Sequence, residues 1–124
     1  MCQAKEKTKQ KMKYVVHRNE WIWGRTWVII AEDGAGIVKV SEDEDDVVLS
    51  GLSVLPDHRG KGIGTSLIRE AERIVREEIG DADICLSVES QNKDLIEWYE
   101  RLGYYSDVDQ ESDYADLVKY CARE

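Results

Sequence analysis

One stretch constrains the fold more than any other: Leu52-Ser53-Val54-Leu55-Pro56-Asp57-His58-Arg59-Gly60-Lys61-Gly62-Ile63-Gly64. It runs from a strand-like segment, through a proline break and a glycine-rich turn, into a helix. Ile63, Leu67, Ile68, Ala71, Ile74, Val75 and Ile79 recur on one side at a 3.6-residue period. Gly80 ends the helix. Along its exposed side Glu70 can pair with Arg73, and Glu72 with Arg76. Ile84-Cys85-Leu86-Ser87-Val88 then reads as a fully buried strand. Strand, helix, strand in that order implies a crossover, so the strands flanking the helix are expected to be parallel and adjacent.

The chain before this unit has a different rhythm. Tyr14 to His17 is a short strand candidate, and Asn19 to Arg25, with Trp21 and Trp23, has no clear assignment. Thr26 to Ala31 and Gly36 to Val40 are strands joined by the turn Glu32-Asp33-Gly34, a hairpin pattern. Ser41 to Asp46 is an acidic turn, and Val47 to Leu55 is the strand that Pro56-Asp57 breaks. After the crossover a second helix spans about Asn92 to Leu102, with Leu95, Trp98, Tyr99 and Leu102 on one face and Gly103 as its stop. Tyr104-Tyr105 starts a strand, Ser106 to Asp113 is an acidic loop, and Tyr114 to Ala122 is a last strand. The pattern predicts an α/β chain with a mixed sheet, antiparallel first and crossed over afterwards. Residues 1–13 read as a disordered Lys-rich lead-in, and 14–124 as a single domain.

The glycine turn is an anion site in chemical terms. Glycines let backbone N–H groups approach a ligand closely, and a helix N-terminus adds partial positive charge. Arg59 and Lys61 add two full charges, so a diphosphate is the natural guest. The bland alternative is a glycine turn that only caps a helix. Two common phosphate patterns fail: Gly60-Lys61 is followed by Gly62 rather than Ser or Thr, and the dinucleotide fingerprint would need glycine at Thr65 or Leu67.

Arg59, Gly62 and Gly64 in Arg-x-x-Gly-x-Gly spacing resemble the coenzyme A pyrophosphate loop of the GNAT superfamily. Leu52-Ser53-Val54-Leu55-Pro56 resembles the strand and proline turn that lead into it. Later, Asn92-Lys93-Asp94-Leu95-Ile96-Glu97-Trp98-Tyr99-Glu100-Arg101-Leu102-Gly103-Tyr104 resembles the family's second signature: an Asn opening a helix, a Tyr seven residues on, and a Leu-Gly-aromatic ending. The resemblance covers roughly Thr26 to the C-terminus. It implies the GNAT acyl-CoA N-acyltransferase fold and an N-acetyltransferase that moves an acetyl group from acetyl-CoA to an amine by direct attack in a ternary complex. It also leaves room for a catalytically inactive acyl-CoA-binding module.

The resemblance assigns roles residue by residue. Backbone groups of Leu52 and Val54, with Ser53 between them, would pair with the pantetheine arm, and one N–H would hold the thioester carbonyl as an oxyanion donor. Arg59 and the N–H groups of Gly60, Lys61, Gly62, Ile63, Gly64 and Thr65 would hold the diphosphate. Asn92 would meet the arm or a water, unless it is only the helix cap. Tyr99 matches the general acid that serves the departing thiolate, although it also suits a core aromatic. Some relatives carry a Glu base at the position of Val48. Here Glu89 is the first substitute, with His17, Glu32 and His58 behind it. GNAT domains place two helices between their first strands, and only Arg18 to Arg25 is available here. That N-terminal helical cover is therefore expected to be missing or reduced to a turn. Trp21, Trp23 and Trp27 then line the acceptor site, form a homodimer contact, or simply pack in the core.

Charge narrows the partner class. The net charge is −9, yet residues 1–13 hold five Lys and one Glu, so the remainder carries −13. An acidic body argues against nucleic acid and suits a cationic amine, polyamine or basic peptide; it also simply confers solubility. No apolar run reaches the ~18–20 residues of a membrane span, and no signal peptide follows the lysines. The expected setting is the cytoplasm. Cys2, Cys85 and Cys121 form neither a metal nor a disulfide framework, and Cys85 and Cys121 read as buried, inert thiols.

Overall fold

Short turns and alternating apolar residues build the first four strands as an antiparallel meander. In the computed structural model, which describes residues 13–44, 46–107 and 112–121, these are β1 Tyr14–Trp21, β2 Gly24–Ala31, β3 Gly36–Glu42 and β4 Val47–Val54. Helix α1, Ile63–Ile74, crosses to β5, Ala82–Glu89. Helix α2, Lys93–Arg101, leads to β6, Tyr105–Asp107, and to β7, Tyr114–Cys121. The seven strands lie in the order β1-β2-β3-β4-β5-β7-β6. Residues 1–12, with Cys2, lie outside the described residues, as do Asp109 and Glu111 of the acidic loop. Among the described residues no helix is long and apolar enough to cross a membrane.

β1 and β2 pair in register from Tyr14–Ala31 to Trp21–Gly24. The unassigned stretch Asn19 to Arg25 is therefore the end of a hairpin whose two-residue turn is Ile22-Trp23, and no helix separates the two strands. The expected reduction of the helical cover to a turn describes this hairpin.

The sheet has unequal faces. Alternation sends Trp27, Ile29, Val38, Val40, Leu49, Ile84, Leu86, Val88 and Leu117 to a buried face. Both helices pack there: Glu72 of α1 bonds Lys119 of β7, and Trp98 of α2 lies against Gly64 of α1. The opposite face carries Val15, Ile37 and Val48, each more than a third exposed, with Ser50, Cys85, Ser87 and Asp116. We call it the open face.

Three expectations need correction. The first helix does not stay α-helical to Gly80: Val75–Ile79 is a π turn, closed by the Gly80 N–H on the Val75 carbonyl at 2.8 Å. Glu72 does not sit on the exposed side with Arg76. It is 2% exposed, because residues 68, 72 and 75 share the stripe that faces the sheet. Cys121 is buried, but Cys85 is only half-buried, since it points to the open face. The Glu70–Arg73 pair does form, with Arg73 Nε donating to Glu70 Oε1 at 3.0 Å.

Candidate active site

β4 and β5 pair in parallel only at Val47–Ile84 and Val48–Cys85. Beyond those pairs the strands part. Between them opens a slot of about 180 Å³ lined by Leu49, Ser50, Gly51 and Leu52 from β4, Leu86, Ser87 and Val88 from β5, and Leu95 and Tyr99 from α2. The expected adjacency of the two strands is present, and it is confined to the first two residues of β4 against Ile84 and Cys85 of β5.

A bulge in β4 re-aims the backbone at this slot. Ile37 faces Ser53 and Lys39 faces Ser50, so Val38 alone opposes both Gly51 and Leu52. Gly51 sits at φ +68, a left-handed conformation that suits glycine. The extra residue has no ladder partner in β3. Gly51 and Leu52 both line the slot.

The slot opens into a larger cavity of about 540 Å³ over the N-terminus of α1. Leu52 and Leu95 line both spaces, which makes them compartments of one groove. The wall of the larger space includes Ser53, Val54, Arg59, Gly60, Gly62, Ile63, Gly64, Thr65 and Trp98. Gly60 and Gly62 both have φ near +80, and Gly62 is the N-cap of α1. The first helical hydrogen bond from this turn is Ser66 N–H to the Gly62 carbonyl, at 2.9 Å. The N–H groups of Ile63, Gly64 and Thr65 precede it and have no partner within the helix. Together with the helix dipole they make an anion cradle. Arg59 folds back, its Nε donating to the Val54 carbonyl at 3.0 Å, so one cation is tethered at the rim. His58 also lines this space, whereas Lys61 does not.

Tyr99 is 6% exposed and stands edge-on to Trp98 and Tyr104, at centroid distances of 4.9 and 5.7 Å. Burial pushes its phenol up to about 12. At neutral pH it is a fully protonated donor facing the slot. Asn92 caps α2, its Oδ1 accepting from Leu95 N–H at 3.3 Å, and it lines neither compartment. The cap is the role the structure gives that oxygen.

Glu89 is exposed at the end of β5, on the open face and thus across the sheet from Tyr99. The structure adds a carboxylate that sequence reasoning missed. Asp116 Oδ1 accepts from Ser87 Oγ at 2.8 Å on that same face, beside the slot wall. The strand alternation of Tyr114 to Cys121 carried the signal for its facing, but only the β5–β7 register shows its neighbour. Trp27 is core, at 2% exposure, with Arg25 stacked 5.0 Å above it. Trp21 and Trp23 are exposed at the hairpin tip. His17 is exposed on β1, and Glu32 is exposed in the turn after β2; neither lines the groove.

Comparison with known proteins gives this geometry a family. A model described as the acetyltransferase (GNAT) family matches residues 3–104. The chain is 37% identical over 84 residues to streptothricin acetyltransferase of Streptomyces lavendulae, covering 64% of this chain and 44% of that one. It is 30% identical over 111 residues to an uncharacterized N-acetyltransferase of Methanocaldococcus jannaschii, covering 74% and 49%. The chain thus spans about half the length of the curated relatives it matches. The crystal structure of the PaiA N-acetyltransferase from Thermoplasma acidophilum in complex with coenzyme A superposes with a TM-score of 0.64 at 22% identity, covering 76% of this chain and 58% of that one.

Proposed function

The chain belongs to the GNAT acetyltransferase family, and from that premise we propose that it transfers an acetyl group from acetyl-CoA to an amine by direct attack in a ternary complex. The observation that carries this reading is the single groove that runs from the anion cradle of α1, along the bulged edge of β4, to the buried Tyr99. A diphosphate suits the cradle, and an extended amide-bearing arm suits the unpaired edges of β4 and β5. The residues present therefore fit coenzyme A.

Bound acetyl-CoA supplies an activated acetyl carbonyl. The backbone at Gly51 and Leu52 would hold that oxygen as charge develops on it. The amine approaches from the open face, where Glu89 and Asp116 offer carboxylates to attract its cation and to take its proton. An alkyl ammonium with pKa near ~10.4 costs roughly 4–5 kcal/mol to deprotonate at neutral pH, so a carboxylate on the approach side matters. Tyr99, on the opposite face, protonates the departing thiolate. Acid and base would thus act from the two faces of the sheet, on the amine and on the thiolate of one tetrahedral intermediate.

Thermal shift tests the reading. Acetyl-CoA at 100 times its dissociation constant adds ~2.7 kcal/mol, roughly 8–15 °C for a domain of this size. ATP and NAD at equal concentration should add little. No shift with acetyl-CoA removes the proposal. A second reading, acyl-CoA binding without turnover, draws on Val48, which occupies the position of some relatives' Glu base and is apolar here. A shift without thiol release from any amine would favour it.

The same reading includes a homodimer contact at the β1–β2 tip, where Ile22 is fully exposed and Trp23 is 65% exposed. Light scattering tests it: a monomeric wild type, or a dimer that survives Ile22→Asp, rules that contact out.

A further inference from the structure

Glu72 is the only buried charged residue among the described residues. Its carboxylate is fully engaged. Oε2 accepts from Tyr104 Oη at 2.9 Å and from Lys119 Nζ at 3.2 Å, and Oε1 accepts from Arg69 Nη1 at 2.9 Å. The same two cations reach the end of α2: Lys119 Nζ and Arg69 Nη1 donate to the Leu102 carbonyl at 2.9 and 3.2 Å. Burying a charge inside a helix–sheet interface is costly, and an apolar residue there would serve packing alone at least as well. What this arrangement supplies is fixed geometry.

The geometry converges on Tyr99. Tyr104 grips it twice: the Tyr104 N–H donates to the Tyr99 carbonyl at 3.1 Å, and the two rings meet edge-on at 74°. The far end of Tyr104 is tied to α1 through Glu72. Burial and the adjacent Glu72 carboxylate hold the Tyr104 phenol well above its usual range, so its proton stays on and the bond to Glu72 persists. Helix α1 begins at the anion cradle, and α2 carries the phenol. The Glu72–Tyr104 bond therefore ties the element that seats the donor to the residue that faces its sulfur.

We propose that Tyr104, anchored by Glu72, is a positioning residue that sets the placement of the Tyr99 phenol in the slot. The inference rests on the acid role of Tyr99 proposed above.

A double-mutant cycle separates positioning from mere stability. Tyr99→Phe, Tyr104→Phe and the double variant are compared by thiol release from acetyl-CoA with spermidine as probe amine, alongside Tm and KM for acetyl-CoA. Tyr104→Phe keeps the ring and removes only its hydrogen bond. The expected result is a kcat about tenfold lower with KM within about twofold, and no further loss when the change is made in the Tyr99→Phe background. A loss that adds in full to that of Tyr99→Phe, or no loss at all, overturns the inference. If Tyr99→Phe alone retains full turnover, the acid role itself has failed, which is a separate result.

A second readout needs no acceptor. In protein labelled with 3-fluorotyrosine, the Tyr99 resonance, assigned from its absence in Tyr99→Phe, should split or broaden in Tyr104→Phe. An unchanged resonance overturns the inference. Should Tyr104→Phe fail to fold, Lys119→Met, which withdraws one donor from both Glu72 and Leu102, takes its place in the same cycle with a loss of about threefold.

Discussion

The Trp98 ring of α2 lies directly over Gly64 of α1: a Cβ at Gly64 would sit 3.3 Å from the indole Cζ2. Both residues line the larger compartment of the groove. The glycine is therefore a spacer between the helices as well as a member of the anion turn. Gly64→Ala should push the indole aside by a few tenths of an ångström and narrow the cavity, while the fold survives. Acetyl-CoA affinity should fall about tenfold, or about 1.4 kcal/mol. Calorimetric titration checks this, and unchanged affinity would show that the contact does not shape the cavity.

Tyr99→Phe should lower kcat by roughly 10²-fold, the usual range for removing a general acid. It should leave the dissociation constant for acetyl-CoA unchanged, since the anion cradle lies in the other compartment of the groove, which Tyr99 does not line. Equal losses in affinity and turnover would instead assign Tyr99 to packing.

Glu72→Ala leaves Tyr104, Lys119 and Arg69 without their shared acceptor. Breaking a buried ion pair typically costs about 3–5 kcal/mol. Urea unfolding should show a loss of that size, with Glu72→Gln losing less because an amide oxygen still accepts from Tyr104. A loss below about 1 kcal/mol in Glu72→Ala would mean that water replaces the carboxylate.

The buried phenol of Tyr99 predicts a particular alkaline limit. Its folded-state value of about 12 lies above the ordinary 10. The folded state holds the proton more tightly, so this contribution to stability is complete below pH 10. It is lost as pH rises from there through about 12. Denaturation midpoints measured from pH 9 to 12 should fall over that window, and Tyr99→Phe should flatten the fall. Equal slopes in both proteins would contradict the assignment.

Cys85 should alkylate slowly. Burial comes first in raising its thiol, and Asp46, Asp83 and Asp116 add to the effect. A smaller thiolate fraction means slower reaction with iodoacetamide at pH 8 than that of an exposed thiol, and Asp116→Asn should speed it. Peptide mass mapping distinguishes Cys85 from Cys2 and Cys121.

The parts of this molecule that obey local rules were legible in its sequence. The period of Ile63 to Ile74, the alternation of Gly36 to Glu42 and the glycine turn each report a helix, a strand and an anion cradle through neighbours a few residues apart. The contacts that organise the site are of another kind. Glu72 meets Tyr104 across 32 residues and Lys119 across 47, and local pairing pointed instead to Arg76. Its place on the 68–72–75 stripe was the available clue, and the preference for exposing a Glu outweighed it. Gly51, a lone glycine inside a strand pattern, was likewise a signal for a bulge. The turn at Ile22-Trp23 carried no such mark, since neither residue is a usual turn former. The facing of Asp116 and Glu89 followed from alternation once the β5–β7 register was known.

The parting of β4 from β5 leaves the sheet with two raw margins in its interior, joined at one end by two residue pairs. Unpaired margins normally invite another strand. Here the invitation is narrow, walled by α2 and shaped for an arm rather than a chain. In the proposed complex the substrate finishes the architecture: its amides stand in for a missing strand and bind the antiparallel half to the crossover half. Amide hydrogens along Leu49–Val54 and Leu86–Glu89 would then exchange at a pace set by donor occupancy. The rigidity of that margin would then track the concentration of the acyl donor.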